Sequence, residues 1–398
     1  MVRQAQVHEH ATSYKLFINS LQSAATRKMY AVWLDGFKKF VEVDDYDELV
    51  SLGAKEIQNQ IVDYVMEMRN KQLSTSTISG RTSALKHFFD MNDIVGINWA
   101  KIQKFKGEPT EQKEDRPYLR HEIKQLVDSA VSIRDKAIIL LLASSGIRRG
   151  GIVDLRIKDL QHIPKYDIYK ITVYAKTSQQ YYTFCTPETK KAIDDYINWR
   201  SRLGEKITDN SILFRVEFDI RTHYEIRNNV RKLKPTSIYS MVRDLSHELG
   251  LKQIQHLTEE VKAGKTRSSI MTCHGFRKYF DTICTSNGMD KLYVEVCMGH
   301  DTGLKGAYFK PTWQEVLEGN NKMRGYVTVI NDLTINEEYR LRRQVNQLKE
   351  EASGVTALSE RLSSLESVMK NILVNSDTKD RSTLAKELVR TGIFRPNT

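Results

Sequence analysis

Residue types that could act on a phosphodiester lie in the second half of the 398-residue chain, and in order they are Arg148, Lys176, His274, Arg277, His300 and Tyr308. A phenol, with an ordinary pKa of about 10, is a poor nucleophile unless cations stabilise the phenolate and a base accepts its proton. Two guanidinium groups can hold the nonbridging oxygens of a phosphate in fixed geometry. The set therefore predicts attack of Tyr308 on phosphorus, with Arg148 and Arg277 supplying positive charge and imidazoles nearby.

A β-hairpin is predicted around Lys176, because "YDIYKITVYAKTSQQYYTFCTP" alternates and is rich in Tyr, Val, Ile and Thr on both sides of "AKTSQQ". A lysine near a turn can enter a groove, and a crowded cationic site lowers the pKa of an ammonium group. We therefore expect Lys176 to protonate the departing 5′-oxygen. A hairpin lysine that only contacts a DNA phosphate is the alternative.

Metal-dependent chemistry has little support in the sequence. Acidic pairs at metal-ligand spacing and a phosphate-binding loop of the G-x4-G-K-[ST] kind are both missing. The four cysteines form no C-x2-C pair, and the only Cys/His pair at the two-residue spacing of a metal ligand pair is Cys297 with His300. Buried structural thiols are therefore preferred to a zinc site, and we expect no metal and no other cofactor.

The overall charge favours a polyanionic partner. The chain carries 61 Lys and Arg against 50 Asp and Glu, a formal net charge of +11, which suits double-stranded DNA. A long apolar run and the apolar core of a signal peptide are both missing from the sequence. We expect a cytoplasmic protein that does not associate with a membrane.

Residues 1–105 are predicted to form a helical DNA-binding module. Tyr30, Leu34 and Phe37 recur at steps of three and four residues, the period of a helix with one buried face. Basic residues lie between the apolar ones, and those predicted to bind DNA are Arg27, Lys28, Arg81 and Lys86. An ordinary helical bundle with solvated charges is the alternative.

The remaining chain divides by composition. Residues 106–118, "KGEPTEQKEDRPY", are rich in charge, proline and glycine without apolar periodicity, and predict an exposed linker. Residues 119–332 predict a mainly helical domain with one small antiparallel sheet, an α+β class. Residues 333–372 carry apolar residues close to a heptad register, which favours a coiled coil between subunits over a helix folded back on its own domain. Residues 373–398 are predicted to be a tail.

The ordered motifs "SGIRRGGIVDLR", "YAKTSQQYYTF", "HGFRKYF", "MGH" and "GAYFKP" resemble those of the tyrosine recombinases, also called phage-type integrases. The resemblance covers residues 12–325, and the N-terminal module is similar to the family's core-binding domain. It implies that the two arginines and two histidines assemble on the scissile phosphate. It further implies that Lys176 is the general acid and that Tyr308 forms a 3′-phosphotyrosyl link.

The same resemblance implies recombination at specific DNA sites, without metal or ATP, through a Holliday junction in a homotetramer. The sequence departs from the family at Gly151, where the family often has Glu. The spacing from His300 to Tyr308, and "AYFKP", look like archaeal mobile-element integrases. Tyr293 and Tyr326 are rival phenols, but the first falls in a helical apolar pattern and the second lies far beyond the Gly-His turn.

Two other functions stay open at this stage. A DNA-relaxing enzyme resembling type IB topoisomerases would use the same chemistry on nonspecific DNA as a monomer, and the predicted coiled coil argues against it. A DNA-binding accessory protein without cleavage activity would make the motif set coincidental, which the complete set of six residues disfavours. The sequence does not predict the target DNA or the kind of genetic element.

Overall fold

The computed structural model describes residues 12–108, 115–251, 270, 272–301, 309–345, 348–349, 352–353, 359 and 363. The chain divides into two compact units, Met1–Lys113 and Glu114–Thr398. Tyr308, most of the predicted coiled coil and the whole predicted tail lie outside the described residues. None of the described helices combines the length and the apolar character that a membrane span requires.

The first unit is helical, and its described helices are α1 (Thr12–Ser20), α2 (Ala24–Val41), α3 (Tyr46–Ser51), α4 (Ala54–Asn70), α5 (Thr75–Met91) and α6 (Trp99–Lys104). Hydroxyl side chains begin two of them, since Ser23 caps α2 and Ser74 caps α5 by accepting backbone N–H bonds. The apolar period predicted the buried faces correctly. Their core is largely aromatic, with buried Phe17, Phe37, Phe88 and Phe89.

The second unit packs helices around one small sheet. Its helices before the sheet are α7 (Arg120–Ser129), α8 (Ile133–Ser145) and α9 (Arg149–Ile152). The strands β1 (Leu160–Ile163), β2 (Ile168–Val173) and β3 (Tyr181–Phe184) form an antiparallel sheet in the order β1-β2-β3. The helices after the sheet are α10 (Pro187–Arg202), α11 (His223–Arg227), α12 (Pro235–Glu248), α13 (Thr272–Ser286), α14 (Lys291–Met298), α15 (Trp313–Glu318) and α16 (Ile330–Leu333). The predicted class, mainly helical with a small antiparallel sheet, is confirmed.

Helix α8 is the centre of this unit. It is apolar on every side and buried from Ala137 to Ser145, as expected of a helix surrounded by other elements. It ends at Gly146, whose φ is +59°. A Cβ at this position would lie 2.6 Å from Cδ1 of Phe280 on α13, so only glycine permits both the turn and the close approach.

The two ends of the predicted linker are buried, whereas the sequence predicted that the linker would be exposed. Lys106 is buried in the first unit, and Tyr118 is buried in the second, where its hydroxyl lies 3.1 Å from the Ser246 hydroxyl. Residues 109–114 of the linker lie outside the described residues. Proline and charge therefore predicted the break in periodicity, but not that aromatic Tyr118 belongs to the core.

The chain just after α16 is hydrogen-bonded to α10. The buried carboxylate of Glu188 accepts hydrogen bonds from the backbone N–H groups of Ile335 (2.8 Å) and Asn336 (3.1 Å). Residues 337–345 are helical. Leu341 and Val345 on this segment, and Leu348 beyond it, are exposed apolar side chains. Their spacing agrees with the heptad register, and the coiled coil stays a prediction.

Candidate active site

Arg148 is positioned by the turn that ends α8. It stands directly before α9, is half-buried, and its Nη1 donates a hydrogen bond to the backbone oxygen of Gly299 at 3.0 Å. Gly299 ends α14 with a φ of +62°, and a Cβ there would lie 2.5 Å from Cδ1 of Tyr181. The position of the Arg148 guanidinium therefore depends on the turns at Gly146 and Gly299 and on the Tyr181 ring of β3.

Arg277 lies on α13 and is buried, with 5% of its surface exposed. Its Nη1 donates to the backbone oxygen of Gly146, and its Nη2 donates to the backbone oxygen of Met298 at 3.2 Å and lies 2.6 Å from Nε2 of His300. Burial lowers the pKa of Arg277, and the positive charge of Arg148 lowers it further. Arg277 therefore joins the ends of α8 and α14 and brings a second cation close to Arg148.

His300 follows the Gly299 turn and is oriented from both sides of its ring. Because a guanidinium group only donates, Nε2 must accept the bond from Arg277, and Nδ1 then carries the proton. Nδ1 lies 2.5 Å from Oε2 of Glu295, and the backbone N–H of His300 donates to the backbone oxygen of Glu295 at 3.0 Å. The imidazole is therefore a fixed tautomer held between an arginine and a carboxylate.

Glu295 is a site residue that the sequence reasoning missed. It lies on α14, five positions before His300, and is also paired with Lys291 at 3.1 Å. Burial raises the pKa of Glu295, but the hydrogen bonds from Lys291 and His300 outweigh burial, and the net pKa lies below its ordinary value. An E-x4-H spacing across a glycine turn was the available signal, because a left-handed residue folds the chain back onto the last helical turn.

His274 begins the H-x-x-R motif on α13, one turn before Arg277, and is exposed. Burial of part of the ring lowers its pKa, and the charges of Arg277 and Lys278 lower it further, whereas Asp115 opposes them. The charge of His300 also lowers the pKa of His274. The structure therefore brings four of the six predicted residues, Arg148, His274, Arg277 and His300, into one electrostatic neighbourhood.

Lys176 lies between β2 and β3, which confirms the predicted hairpin. Its φ of +64° is unusual for a residue with a side chain, and its backbone N–H donates to Oε1 of Gln180 at 2.7 Å. The side chain is exposed, and its ammonium group makes no hydrogen bond within the described part of the chain. At the base of the hairpin, burial raises the pKa values of Tyr174 and Tyr181, whereas the charges of Arg148 and Arg277 oppose that rise.

A pocket of about 560 Å³ opens beside His300, between the hairpin and the segment after Tyr308. Asp301 and Phe309, which flank residues 302–308, both contribute to its wall. Phe309 stacks on Tyr293 with ring centroids 6.3 Å apart, and the Tyr182 hydroxyl donates to the backbone oxygen of Pro311 at 3.0 Å. The residues next to Tyr308 are therefore fixed on the same unit as His300, while Tyr308 itself lies outside the described residues.

The hydroxyl groups of the two rival tyrosines, Tyr293 and Tyr326, are buried and take part in other hydrogen bonds. Tyr293 is buried with 1% exposure, and its oxygen accepts a hydrogen bond from Nδ2 of Asn320 at 3.1 Å. Tyr326 is fully buried, and its hydroxyl donates to the backbone oxygen of Ser144 at 2.7 Å. Burial raises the pKa of Tyr326 well above its ordinary value. Both oxygens are therefore buried and hydrogen-bonded within the second unit.

The predicted DNA-binding residues fall into two groups on the first unit. Lys28 and Lys86 are exposed, and Nζ of Lys86 lies 5.8 Å from the centre of the Trp99 ring. Nε of Arg27 donates to the backbone oxygen of Leu21 at 2.5 Å, and Nη1 of Arg81 donates to the Tyr64 hydroxyl at 3.2 Å. The arginines therefore also bind their own unit, which their residue type did not predict.

The cysteines considered for a zinc site are buried, and within the described part of the chain they form no disulfide with one another; they are Cys185, Cys273, Cys284 and Cys297. Burial raises the pKa of Cys297 and of Cys284, so both are neutral thiols in the core. Among the residues that the structure describes, His, Cys, Asp and Glu side chains form no group of three that could ligate a metal ion.

Comparison with known proteins identifies relatives of this chain. Residues 118–303 match the phage integrase family. The chain is 24% identical to tyrosine recombinase XerC of Lactobacillus leichmannii, over 63% of this chain and 76% of the relative. It is 22% identical to tyrosine recombinase XerA of Pyrococcus horikoshii, over 78% of this chain and 91% of the relative.

Among solved structures, the Tn1549 transposon integrase (its residues 82–397) in complex with circular intermediate DNA has a similar fold. The TM-score is 0.52 at 16% identity, over 76% of this chain and 97% of the integrase chain. The residues that match the phage integrase family, 118–303, contain the Arg148, Arg277 and His300 cluster and the Lys176 hairpin. Residues 118–303 therefore form a phage integrase family domain, and the relatives that the chain resembles over most of its length are tyrosine recombinases.

Proposed function

We propose that this protein is a site-specific DNA recombinase that cleaves and rejoins DNA strands through a 3′-phosphotyrosyl link to Tyr308, without metal or ATP. One observation carries the proposal. The buried Arg277 bonds to Gly146, Met298 and His300, while Arg148 bonds to Gly299. Two cations and an imidazole are therefore fixed around one turn before any substrate arrives.

This arrangement suits the transition state of phosphoryl transfer. Attack on phosphorus spreads negative charge over the nonbridging oxygens, and preorganised guanidinium groups stabilise that charge without a cost for reorganisation. A phosphate oxygen can replace His300 as the acceptor of one Arg277 N–H. His274, one turn away on α13, is placed to donate a further hydrogen bond. Removing one such donor typically costs about 10²–10³-fold in rate.

Tyr308 is the phenol that this pocket can use. It precedes Phe309, which lines the same pocket as His300, and consecutive Cα atoms are about 3.8 Å apart. The alternatives Tyr293 and Tyr326 are buried and hydrogen-bonded to their own unit. Tyr181 lies near the arginines but is 91% buried, as its 9% exposure shows, and burial raises its pKa.

Lys176 is the general acid in this proposal. Its ammonium group is exposed on a hairpin whose base packs beside the two arginines, so it can reach the 5′-oxygen when DNA binds. Protonation of that oxygen assists breakage of the P–O5′ bond. Because the phosphotyrosyl ester resembles the diester it replaces, the strand can be rejoined without an external energy source.

In this proposal the first unit contributes to the affinity for DNA. Lys28 and Lys86 are exposed cations that can contact phosphates, and such contacts add affinity that salt weakens. Strand exchange between two sites requires several copies of the chain on DNA, and we propose a homotetramer. The exposed apolar residues Leu341, Val345 and Leu348 would form part of the contact between subunits.

The test begins with DNA that stays bound to the protein after denaturation, because sequencing it identifies the site. We expect recovery of one sequence with wild-type protein and with Tyr181→Phe, and none with Tyr308→Phe. Plasmids carrying one or two copies of this site then separate two activities. Deletion between paired sites supports recombination. Relaxation of both plasmids without deletion would contradict it and indicate a topoisomerase-like enzyme.

A further inference from the structure

We propose that the Tyr174 hydroxyl is a further ligand of the scissile phosphate and donates a hydrogen bond to one of its nonbridging oxygens. This inference rests on the proposed function and adds a neutral donor to the two arginines of the candidate site. Tyr174 directly follows β2 and stands two positions before Lys176. The position of its oxygen, its backbone conformation and the state of its hydroxyl support the assignment.

The phenol of Tyr174 lies between the two turns that hold Arg148. On one side, a Cβ at Gly150 of α9 would lie 3.1 Å from the phenol oxygen, and Arg148 directly precedes that helix. On the other side, its ring meets the Tyr181 ring at an angle of 61°, with centroids 6.1 Å apart. Tyr181 contacts Gly299, whose backbone oxygen accepts the hydrogen bond from Arg148. The phenol is therefore a neighbour of this guanidinium group.

The two glycines of α9 make room for this phenol. A Cβ at Gly151 would lie 2.5 Å from Cγ1 of Val173, the last residue of β2, and a Cβ at Gly150 would crowd the Tyr174 oxygen. Side chains at these two positions would therefore push the end of β2 and the phenol away from α9. The sequence Gly150–Gly151 permits the close approach that places Tyr174 beside the site.

The backbone of Tyr174 has an uncommon conformation that is held by its own turn. Its φ is +52°, in the left-handed region that a bulky residue rarely adopts. Thr177 stabilises the turn, because its backbone N–H and its hydroxyl both donate to the backbone oxygen of Tyr174, at 3.1 and 2.8 Å. Such conformations cluster at binding and catalytic sites, where they direct a side chain. The direction of the phenol is therefore set before DNA binds.

The hydroxyl of Tyr174 is available as a donor. It makes no hydrogen bond within the part of the chain that the structure describes, and the side chain is half-buried rather than enclosed. Burial raises its pKa; the charges of Arg148 and Arg277 oppose that rise, and Asp154 adds to it. Because the net pKa lies above the ordinary value, the phenol keeps its proton at neutral pH and can donate it in a hydrogen bond.

The other two tyrosines of the hairpin are not available in this way. The oxygen of Tyr181 is buried. The Tyr182 hydroxyl donates to the backbone oxygen of Pro311 at 3.0 Å. Tyr174 is therefore the hairpin phenol whose hydroxyl can meet a phosphate oxygen bound by Arg148.

A donor fixed in this way acts mainly on the rate of the reaction. Negative charge on the nonbridging oxygens increases as the nucleophile attacks, so a preorganised donor stabilises the transition state more than the bound substrate. The hydroxyl is neutral and therefore adds little to the electrostatic attraction that brings DNA to the protein. Its removal should slow strand cleavage and leave the affinity for DNA almost unchanged.

The test is single-turnover formation of the covalent adduct, with a suicide substrate built from the recovered site. Tyr174→Phe removes the hydroxyl and retains the ring that contacts Tyr181. We expect adduct formation to slow by roughly 10–100-fold, the loss typical of one donor to a charged oxygen. A rate equal to that of wild type would overturn the inference. Absence of any adduct with wild-type protein would instead contradict the proposed function.

Tyr169→Phe is the matched control, because it also removes one hydroxyl from the hairpin. Tyr169 lies on β2, and its hydroxyl donates to Oδ1 of Asp194 on α10 at 2.6 Å. We expect this variant to lose stability in urea denaturation and to form the adduct at the wild-type rate. Tyr174→Phe should show the opposite, a slow reaction with unchanged stability. Equal slowing in the two variants would overturn the inference.

Phosphorothioate substrates separate direct contact with the phosphate from an effect on the hairpin. Sulfur in place of one nonbridging oxygen keeps the negative charge but is a weak hydrogen-bond acceptor. We expect the rate loss caused by Tyr174→Phe to be smaller with one of the two phosphorus diastereomers than with the other or with the natural diester. Equal losses with all three substrates would overturn the inference, because the hydroxyl would then act on the protein and not on the phosphate.

Discussion

Substitution of Gly299 by alanine tests how the backbone sets the site. Alanine there must adopt a φ of +62°, and its Cβ would lie 2.5 Å from Cδ1 of Tyr181. The left-handed backbone costs about 1–2 kcal/mol, and forcing extra volume against a buried ring costs about 1–3 kcal/mol. We therefore expect the free energy of unfolding of the second unit to fall by about 2–5 kcal/mol in total.

Gly250 provides the matched control for this substitution. Its φ is +64°, yet no described atom lies within 4 Å of where a Cβ would stand. Gly250→Ala therefore carries the backbone cost without the steric one and should destabilise by about 1–2 kcal/mol. The difference between the two variants measures the contact between Gly299 and Tyr181.

The assay is urea denaturation followed by circular dichroism, with Gly299→Ala measured in wild type and in a Tyr181→Ala background. Without the ring, Gly299→Ala should cost only the backbone term, about 1–2 kcal/mol. Equal losses for Gly299→Ala and Gly250→Ala would refute the reasoning. So would a cost at Gly299 that is the same with and without the Tyr181 ring.

Three further predictions concern the site and the DNA surface. Arg277→Lys should lower adduct formation by at least about 10²-fold in single-turnover assays, since lysine cannot reproduce the paired guanidinium bonds, whereas normal activity would contradict the role of Arg277. Lys28→Ala and Lys86→Ala should each reduce the slope of log affinity against log salt by about one in DNA-binding titrations, and unchanged slopes would exclude phosphate contact. His274→Gln should lessen the loss of stability on acidification below about pH 6.5.

The sign of the last prediction follows from the lowered pKa of His274. The folded state binds this proton less readily than the unfolded chain, so stability is present above the unfolded pKa and falls as pH falls toward the folded pKa. Unfolding midpoints measured across that range with wild type and His274→Gln check it. Identical pH dependence in the two proteins would contradict the shift.

Much of the fold follows from local patterns in the sequence. The long helices of the first unit and the hairpin around Lys176 were predicted, because apolar periodicity and alternation report directly on which face is buried. Short elements such as α3 and β1 were missed, since four to six residues contain too little of either period. Tyr118 was assigned to the linker because charge and proline around it hid its place in the core.

The candidate site, like the fold, was predicted from the sequence only in part. The order and types of Arg148, Arg277 and His300 predicted a phosphate-binding cluster, and their hydrogen bonds now give it geometry. Glu295 was missed because its contact depends on the Gly299 turn, which brings residues five positions apart together. Arg27 was predicted to contact DNA from its charge alone, yet its guanidinium also binds the backbone of Leu21. Residue type does not reveal which partner a long side chain will take.

The central claim is that the cationic cluster activates Tyr308 as the nucleophile. Its most direct test is mass spectrometry of peptides from the covalent protein–DNA adduct after nuclease digestion. We expect a nucleotide attached through its 3′-phosphate to the Tyr308 hydroxyl. A nucleotide on Tyr174, Tyr181 or a serine, with Tyr308 unmodified, would contradict it.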